Sequence, residues 1–148
     1  MGKQIEVARK AGEGRVLNVL GERVTCKVET AETGGSLTIV EEASDPNGGP
    51  PPHIHEREDE AFYVLEGTYE FRIGDKTVTA QAGHFLFGPR GVLHGFRNAG
   101  GTPAKLLVIA SPSGVERCFE ELSRLPIGPP NISSVFAICK KYGITVQA

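Results

Sequence analysis

The sequence predicts an all-β domain, folded as a sandwich or a barrel, and three observations support this. Short runs in which apolar and polar residues alternate recur along the chain, for example in residues 24–28, 36–40 and 69–73. A period of two over four to six residues is typical of strands with one buried face. Turn sequences rich in Gly, Asn and Asp separate these runs. About ten strands at this spacing favour a sandwich or barrel over a sheet built from βαβ units.

The last part of the chain predicts helices instead of strands. Ser113 and Glu116 have the spacing of a capping box, which predicts a helix that begins after Ser113 and ends before Pro126. A second helix is expected over residues 131–143, with its apolar residues turned toward the barrel. These two short helices form the predicted tail of the domain.

Length and composition fit one domain and exclude several function classes. The 148 residues, 39% of them apolar, can fill one core, so we predict a single domain over 1–148. The barrel is expected at about 14–111 and the helical tail at about 113–148. A net charge of -2 gives no basic patch for nucleic acid or a membrane surface. Without an apolar run of membrane length or a secretion signal, a cytoplasmic location is predicted.

The histidines point to metal chemistry. His53 and His55 are two residues apart, and on a strand such positions face the same side, so both rings can reach one point. Glu60 follows shortly after, and His94 lies on a later segment. Imidazole and carboxylate ligands suit iron, manganese, nickel, copper and zinc. His84, in a turn after Gly83, is expected to be exposed and not a ligand.

The complete pattern resembles the two motifs of the cupin superfamily. The first motif reads His53-x-His55, four residues, Glu60, six residues and Gly67. The second reads Gly83, five residues, Pro89-x-Gly91, two residues, His94, three residues and Asn98. The sequence departs from the family at the leading glycine of the first motif, where it has Asn47.

This resemblance implies a double-stranded β-helix, the jelly-roll barrel of cupins, to which the two predicted C-terminal α-helices are added. It also implies that His53, His55, Glu60 and His94 point into the barrel mouth and bind one divalent transition metal ion per chain. Among the cupins the chain looks most like the quercetinase-like dioxygenases. Glu60 is then a metal ligand and the candidate catalytic residue, since a carboxylate can take a proton from a substrate hydroxyl.

The surroundings of these residues give two further predictions. Five aromatic residues are expected to form an apolar substrate pocket above the metal: Phe62, Tyr69, Phe71, Phe85 and Phe96. The charged run of residues 56–59, between His55 and Glu60, is expected to be a solvated loop.

The sequence leaves the reaction open. The leading hypothesis is a mononuclear metal-dependent oxidoreductase that acts on a small enolisable or phenolic substrate. The alternatives are a non-catalytic module that binds a small molecule, and a metal-dependent isomerase or decarboxylase, because one fold hosts many functions. A homodimer is also expected, with residues 5–20 offering an edge strand that a second copy can cover.

Overall fold

A computed structural model of the chain describes residues 2–147 and contains two β-sheets that face each other. The strands are, in chain order, β1 (Arg15–Val19), β2 (Glu22–Val28), β3 (Thr38–Ser44), β4 (His53–His55), β5 (Asp59–Glu66), β6 (Thr68–Ile73), β7 (Lys76–Gln81), β8 (Phe85–Gly88), β9 (His94–Asn98), β10 (Ala104–Ser111) and β11 (Ile144–Val146). The helices are α1 (Thr30–Thr33), α2 (Val115–Ser123) and α3 (Ile132–Lys141).

The order of the strands confirms the predicted jelly roll. One sheet has the order β1-β2-β3-β10-β5-β8 and the other has the order β11-β4-β9-β6-β7. The neighbouring strands run antiparallel, and β10 lies between β3 and β5 although it follows both by many residues. Such long-range pairing between two facing sheets is how a jelly roll closes its core.

Alternation along the strands builds the core as predicted. In β5, Phe62 and Val64 are buried on the inner face, while Tyr63 and Leu65 point outward. The fully buried side chains of the two sheets meet between them, and the burial of each large apolar side chain contributes about 1.5–3 kcal/mol to stability.

Four of the five residues predicted to line a substrate pocket form an aromatic cluster inside the barrel. The ring centroids of Phe62 and Phe71 are 5.3 Å apart, those of Phe71 and Phe96 5.2 Å, and those of Tyr69 and Phe96 5.5 Å. Tyr69 and Phe71 are fully buried, so they support the core rather than a pocket surface.

The fifth predicted pocket residue, Phe85, lies on the outer face of the barrel, which corrects that prediction. Its side chain is 64% exposed, whereas the next residue, Leu86, is buried and lies opposite Phe62 in the sheet. Residues 85–87 are all apolar, so alternation cannot decide which of them faces inward. The pairing of β8 with β5 determines that Leu86 faces inward and Phe85 faces outward.

The predicted helices are both present, but the first begins differently. Ser113 is not the N-cap of α2, because Gly114 occupies that position and the Ser113 Oγ accepts a hydrogen bond from Thr30 Oγ1. Glu116 accepts a hydrogen bond from the backbone N–H of Gly114 and another from Thr38 Oγ1. It therefore ties α2 to β3 instead of closing a capping box. Asn131 caps α3, as the prediction of a helix from this residue implies.

A strand that the sequence analysis did not predict follows α3. β11 pairs antiparallel with β4, so that Ile144 lies opposite His55 and Val146 opposite His53. The backbone N–H of Glu56 also donates to the Gly143 carbonyl oxygen. The predicted helical tail thus ends by completing a sheet, and it covers an edge of the strand that carries two histidines.

The cysteines Cys26, Cys118 and Cys139 are buried free thiols. No helix within residues 2–147 combines the length and the apolar character needed to cross a membrane.

Candidate metal centre

The four predicted ligands meet at one point between the two sheets. His53 and His55 lie two residues apart on β4, and His94 begins β9, where it pairs directly with His53. Glu60 comes from β5 in the opposite sheet. The cluster therefore joins the two halves of the barrel.

The distances within this cluster suit a single metal ion. One donor atom from each residue lies within 4.8 Å of the others. The Glu60 Oε1 atom is 2.9 Å from the Nε2 atoms of both His55 and His94. Two donors on one ion with bonds of about 2.1 Å lie at most about 4.2 Å apart. The cluster therefore fits a metal after a contraction of roughly half an ångström.

Backbone carbonyls orient two of the imidazoles. The Nδ1 atom of His53 is 2.8 Å from the carbonyl oxygen of Pro51, and that of His94 is 3.2 Å from the carbonyl oxygen of Val92. A carbonyl oxygen can only accept, so these contacts hold the proton on Nδ1 when the ring ligates a metal through Nε2. The Nε2 lone pair is left free for a metal, which is the usual arrangement around ligating histidines.

A carboxylate orients the third imidazole, and the sequence analysis missed it. Glu58 is buried, with Oε1 2.8 Å from the Nδ1 atom of His55. The prediction of a solvated loop over residues 56–59 is therefore wrong at Glu58. A buried glutamate within a charged run has no signature of its own, although its position three residues after a candidate ligand was a usable signal.

Glycine at position 88 makes room for the His94 ring. A Cβ atom on Gly88 would lie 3.1 Å from the His94 Nδ1 atom, so glycine gives the ring its space.

Asn47, where the family motif has glycine, adopts a φ of 67°. Asn tolerates this left-handed conformation better than most residues, which explains why the departure leaves the loop intact.

The buried charges set the protonation of the metal-free cluster. Burial, together with the neighbouring His55 and His94, lowers the pKa of His53 to about 4. Burial also disfavours a charge on His55, but the carboxylates of Glu60 and Glu58 outweigh it and raise its pKa to about 10. Burial alone would raise the pKa of Glu60, yet its contacts with His55 and His94 lower it. His55 is thus a cation between two carboxylates.

A cavity of about 260 Å³ opens onto the cluster. His53, His55 and Glu60 lie in its wall, and most of the remaining lining is apolar. Of the five predicted pocket residues, the structure places only Phe62 and Phe96 in this lining. Side chains from α2 and α3, including Phe119 and Phe136, cover it from the other side.

Two acidic residues in the cavity wall were also missed by the sequence analysis. Glu22 and Glu42 are both buried and line the cavity together with the metal cluster. The signal was present in β3, where Glu42 has the same parity as the buried residues Thr38 and Val40. Alternation therefore places this carboxyl inside the barrel.

The protonation of His55 predicts how metal affinity depends on pH. The pKa of His55 is about 10 in the metal-free protein, and a ligating imidazole must be neutral, so each bound ion displaces a proton. We expect the affinity for Zn²⁺ to rise about tenfold per pH unit between roughly pH 6.5 and 8.5. Calorimetry in buffers of different ionisation enthalpy counts the released proton directly.

The Glu58→Gln variant is the matched test of this pH dependence. Loss of the carboxylate lowers the His55 pKa and should reduce proton release at pH 8.5. It should also weaken metal binding by about 10- to 100-fold. Glu56→Gln, at an exposed position of the same loop, should change neither quantity. Unchanged proton release in Glu58→Gln would show that His55 is neutral before the metal binds.

Comparison with known proteins places the fold and the cluster in context. The profile of the family described as "Cupin domain" matches residues 40–110, which include all four cluster residues. Germin-like protein 5-1 of Oryza sativa subsp. japonica is 35% identical over 105 residues, which cover 66% of this chain and 48% of the relative. The chain therefore spans about half the length of this relative, and smaller shares of two other germin-like proteins.

Two solved structures share the fold at 25% sequence identity. The polyketide cyclase RemF from Streptomyces resistomycificus matches with a TM-score of 0.63, over 74% of this chain and 81% of the other. An oxalate oxidase in complex with the substrate analogue glycolate matches with a TM-score of 0.59, over 73% of this chain and 60% of the other.

Proposed function

The chain belongs to the cupin superfamily, and from this premise we propose that it is a metal-dependent oxidoreductase. One divalent transition metal ion per chain is held by His53, His55, Glu60 and His94. The substrate is a small enolisable or phenolic molecule that enters the cavity beside the cluster.

One observation carries this proposal. The three imidazoles each use Nδ1 for a hydrogen bond away from the centre, to Pro51, Glu58 and Val92 respectively. Their Nε2 atoms are left to converge with the Glu60 carboxylate at the wall of a cavity. Three oriented imidazoles and one carboxylate form a ligand set that a structural role in a core does not require.

The chain's own residues prepare this site for chemistry. A divalent ion bound there supplies Lewis-acid or redox chemistry to an oxygen of the substrate. Glu60 is a carboxylate at neutral pH, since its pKa is lowered, and it lines the cavity. It is therefore placed to accept a proton from a substrate hydroxyl. The apolar walls from Phe62, Phe96 and Phe119 exclude water around the reacting group.

The similar proteins favour oxidation over the alternatives. The oxalate oxidase shares both the fold and 25% of the matched sequence, and its structure holds a small oxygen-rich ligand, glycolate. The polyketide cyclase is also 25% identical to this chain. Its similarity supports a second candidate function, a metal-dependent reaction that is not a net oxidation. A non-catalytic binding module is the third reading.

Metal content and oxygen uptake test the proposal together. Protein purified without added metal is analysed for its elements, and O₂ consumption is recorded with a panel of small phenols, enolisable ketones and 2-hydroxy acids. We expect one metal ion per chain and uptake with at least one compound. Conversion of a compound without O₂ uptake would favour an isomerase or a decarboxylase. Metal without any conversion would favour the binding module.

Within residues 5–20, which were expected to offer the dimer edge, only Arg15–Val19 form a strand, β1, at one edge of its sheet. We also propose that the chain forms a homodimer, and we assign its interface to the opposite edge, β8. Phe85, Phe87 and Tyr63 are 64%, 50% and 44% exposed and lie next to one another through the pairing of β8 with β5. β8 is an edge strand of its sheet, and contiguous exposed apolar groups at such an edge favour association. A two-fold contact lets each copy cover the patch of the other.

The Phe85→Asp variant tests this dimer. Light scattering at about 50 μM should give the mass of a dimer for the natural chain and that of a monomer for the variant. Val78→Asp is the control, because Val78 is 38% exposed on β7 in the other sheet. A natural chain that is already monomeric would contradict the proposal, and dimer loss in the control alone would move the interface to the other sheet.

A further inference from the structure

Glu42 is a buried carboxyl without a hydrogen-bond partner among residues 2–147. It lies in the middle of β3, between Val24 of β2 and Leu106 of β10, and it is only 8% exposed. Its carboxyl group lines the cavity that opens onto the metal cluster. No fully enclosed side-chain oxygen among residues 2–147 lacks a hydrogen-bond partner, so the Glu42 oxygens keep their accessible surface in the cavity. A ligand that fills this space must hydrogen-bond them, because an unsatisfied carboxyl is costly.

The neighbouring acid shows what a satisfied carboxyl looks like in the same wall. Glu22 accepts a hydrogen bond from the Ser44 hydroxyl, which in turn accepts one from Tyr69 at 3.3 Å. The protein itself therefore supplies a hydrogen bond to the Glu22 carboxyl. Glu42 differs in that its hydrogen-bonding capacity is directed only toward the cavity.

Burial and nearby carboxylates also favour the neutral form of Glu42. Burial, and to a lesser extent the charges of Glu22 and Glu60, raise its pKa well above the ordinary range. A neutral carboxyl both donates and accepts a hydrogen bond. It can therefore bind a hydroxyl or carbonyl group without requiring a charge on the ligand.

The sheet register places Glu42 on the inner face of the same sheet as Glu60, further along the cavity wall from the metal cluster. Glu60 and Thr38 both lie opposite Ala110, so Glu42 is four residues beyond the level of Glu60 and two strands away. Four residues of strand correspond to about 13 Å. Phe62 and Phe96 line the cavity as well. The cavity thus has a metal-binding end, an apolar stretch and a second polar end.

We propose that Glu42 is the second binding point of the substrate: it hydrogen-bonds an oxygen at the far end of a molecule whose near end is held at the His53, His55, Glu60 and His94 cluster. This inference rests on the proposed function and narrows its substrate class. The ligand is a flat or apolar molecule with oxygen at both ends, such as a phenol that carries a chelating group and a distal hydroxyl.

Stability measurements separate a binding role from a structural one. In Glu42→Leu the unpartnered carboxyl is replaced by an apolar side chain, so we expect the melting temperature of the Zn²⁺-loaded protein to rise by about 3 °C or more. A group kept for binding is commonly a cost to stability. A fall of several degrees would show that Glu42 supports the fold, and would overturn the proposal.

Binding of three probes to the Zn²⁺-loaded protein tests the proposed contact directly. The probes are 2-hydroxybenzoate, which has only the chelating pair, and its 2,4- and 2,5-dihydroxy analogues, which add a distal hydroxyl. Zn²⁺ has no redox chemistry, so the probes are not oxidised during the measurement. Calorimetry should show that the natural protein binds one dihydroxy probe about five- to tenfold more tightly than 2-hydroxybenzoate.

The variants assign this preference to Glu42. Glu42→Leu should bind all three probes equally, and Glu42→Gln should keep part of the preference because its amide still donates and accepts. Glu41→Gln, on the outer face of the same strand, should behave like the natural protein. Equal binding of the three probes by the natural protein would overturn the role of Glu42 and leave the phenolic substrate standing. Failure of all three to bind would reject the phenolic substrate and the role of Glu42 with it.

Discussion

Replacing His94 with alanine should remove the metal from the protein. His94 is 1% exposed and lies between β4 and β6, with its Nε2 atom 2.9 Å from the Glu60 carboxylate. The change takes away one of four donor residues. The cluster contains no fifth donor residue within residues 2–147 that could replace it. We expect metal affinity to fall by more than about 100-fold, beyond what the loss of an orienting group causes. Elemental analysis after dialysis against a weak chelator measures this.

The chain offers its own control for this variant. His84 is exposed, as predicted, and its Nδ1 atom accepts a hydrogen bond from the backbone N–H of Gln81, away from the cluster. His84→Ala should keep its full metal content. Circular dichroism and thermal unfolding establish that His94→Ala is folded. A folded His94→Ala protein with undiminished metal would reject the cluster as the binding site.

Replacing Glu60 with glutamine should leave a folded protein that has lost most of its activity. Glutamine keeps the size of the side chain and one oxygen donor but loses the charge and the basicity. Loss of a positioned base typically lowers the rate by ~10²- to 10⁴-fold. The three imidazoles keep their hydrogen bonds to Pro51, Glu58 and Val92 and should retain most of the metal. Turnover and metal content are measured on the compound that the panel identifies.

Glu56→Gln is the matched control, since it removes an exposed carboxylate from the loop between His55 and Glu60. Its turnover should equal that of the natural protein. If Glu60→Gln also turns over at the natural rate with its metal in place, Glu60 has no chemical role and the proposed mechanism is wrong.

The sequence predicts the barrel, and the His53 and His55 part of the metal cluster, because both depend on short-range spacing. The alternating residues 69–73 form most of β6, as predicted. The His53-x-His55 spacing places both rings on one side of β4. Convergence with Glu60 and His94 required the cupin resemblance, since these residues lie on other strands. The structure brings together the same four residues.

The remaining features of the site depend on register and distant packing, which local patterns do not encode. Phe85 was misplaced because three consecutive apolar residues carry no parity. Glu58 was missed because its burial depends on where β4 and the helices close around it. β11 was missed because three residues after a helix are too few to show alternation, and the strand exists only through its pairing with β4.

That last pairing ties the cluster to a segment about 90 residues further along the chain. β11 is a three-residue strand at the edge of its sheet, and such elements usually open at low free energy and expose their amides to exchange with solvent. Opening of β11 frees the edge of β4, so the positions of the His53 and His55 rings loosen together with it. A bound metal ion opposes this opening by the free energy with which it prefers the closed form. Metal binding should therefore slow the amide exchange of β11, even though no residue of that strand belongs to the metal cluster.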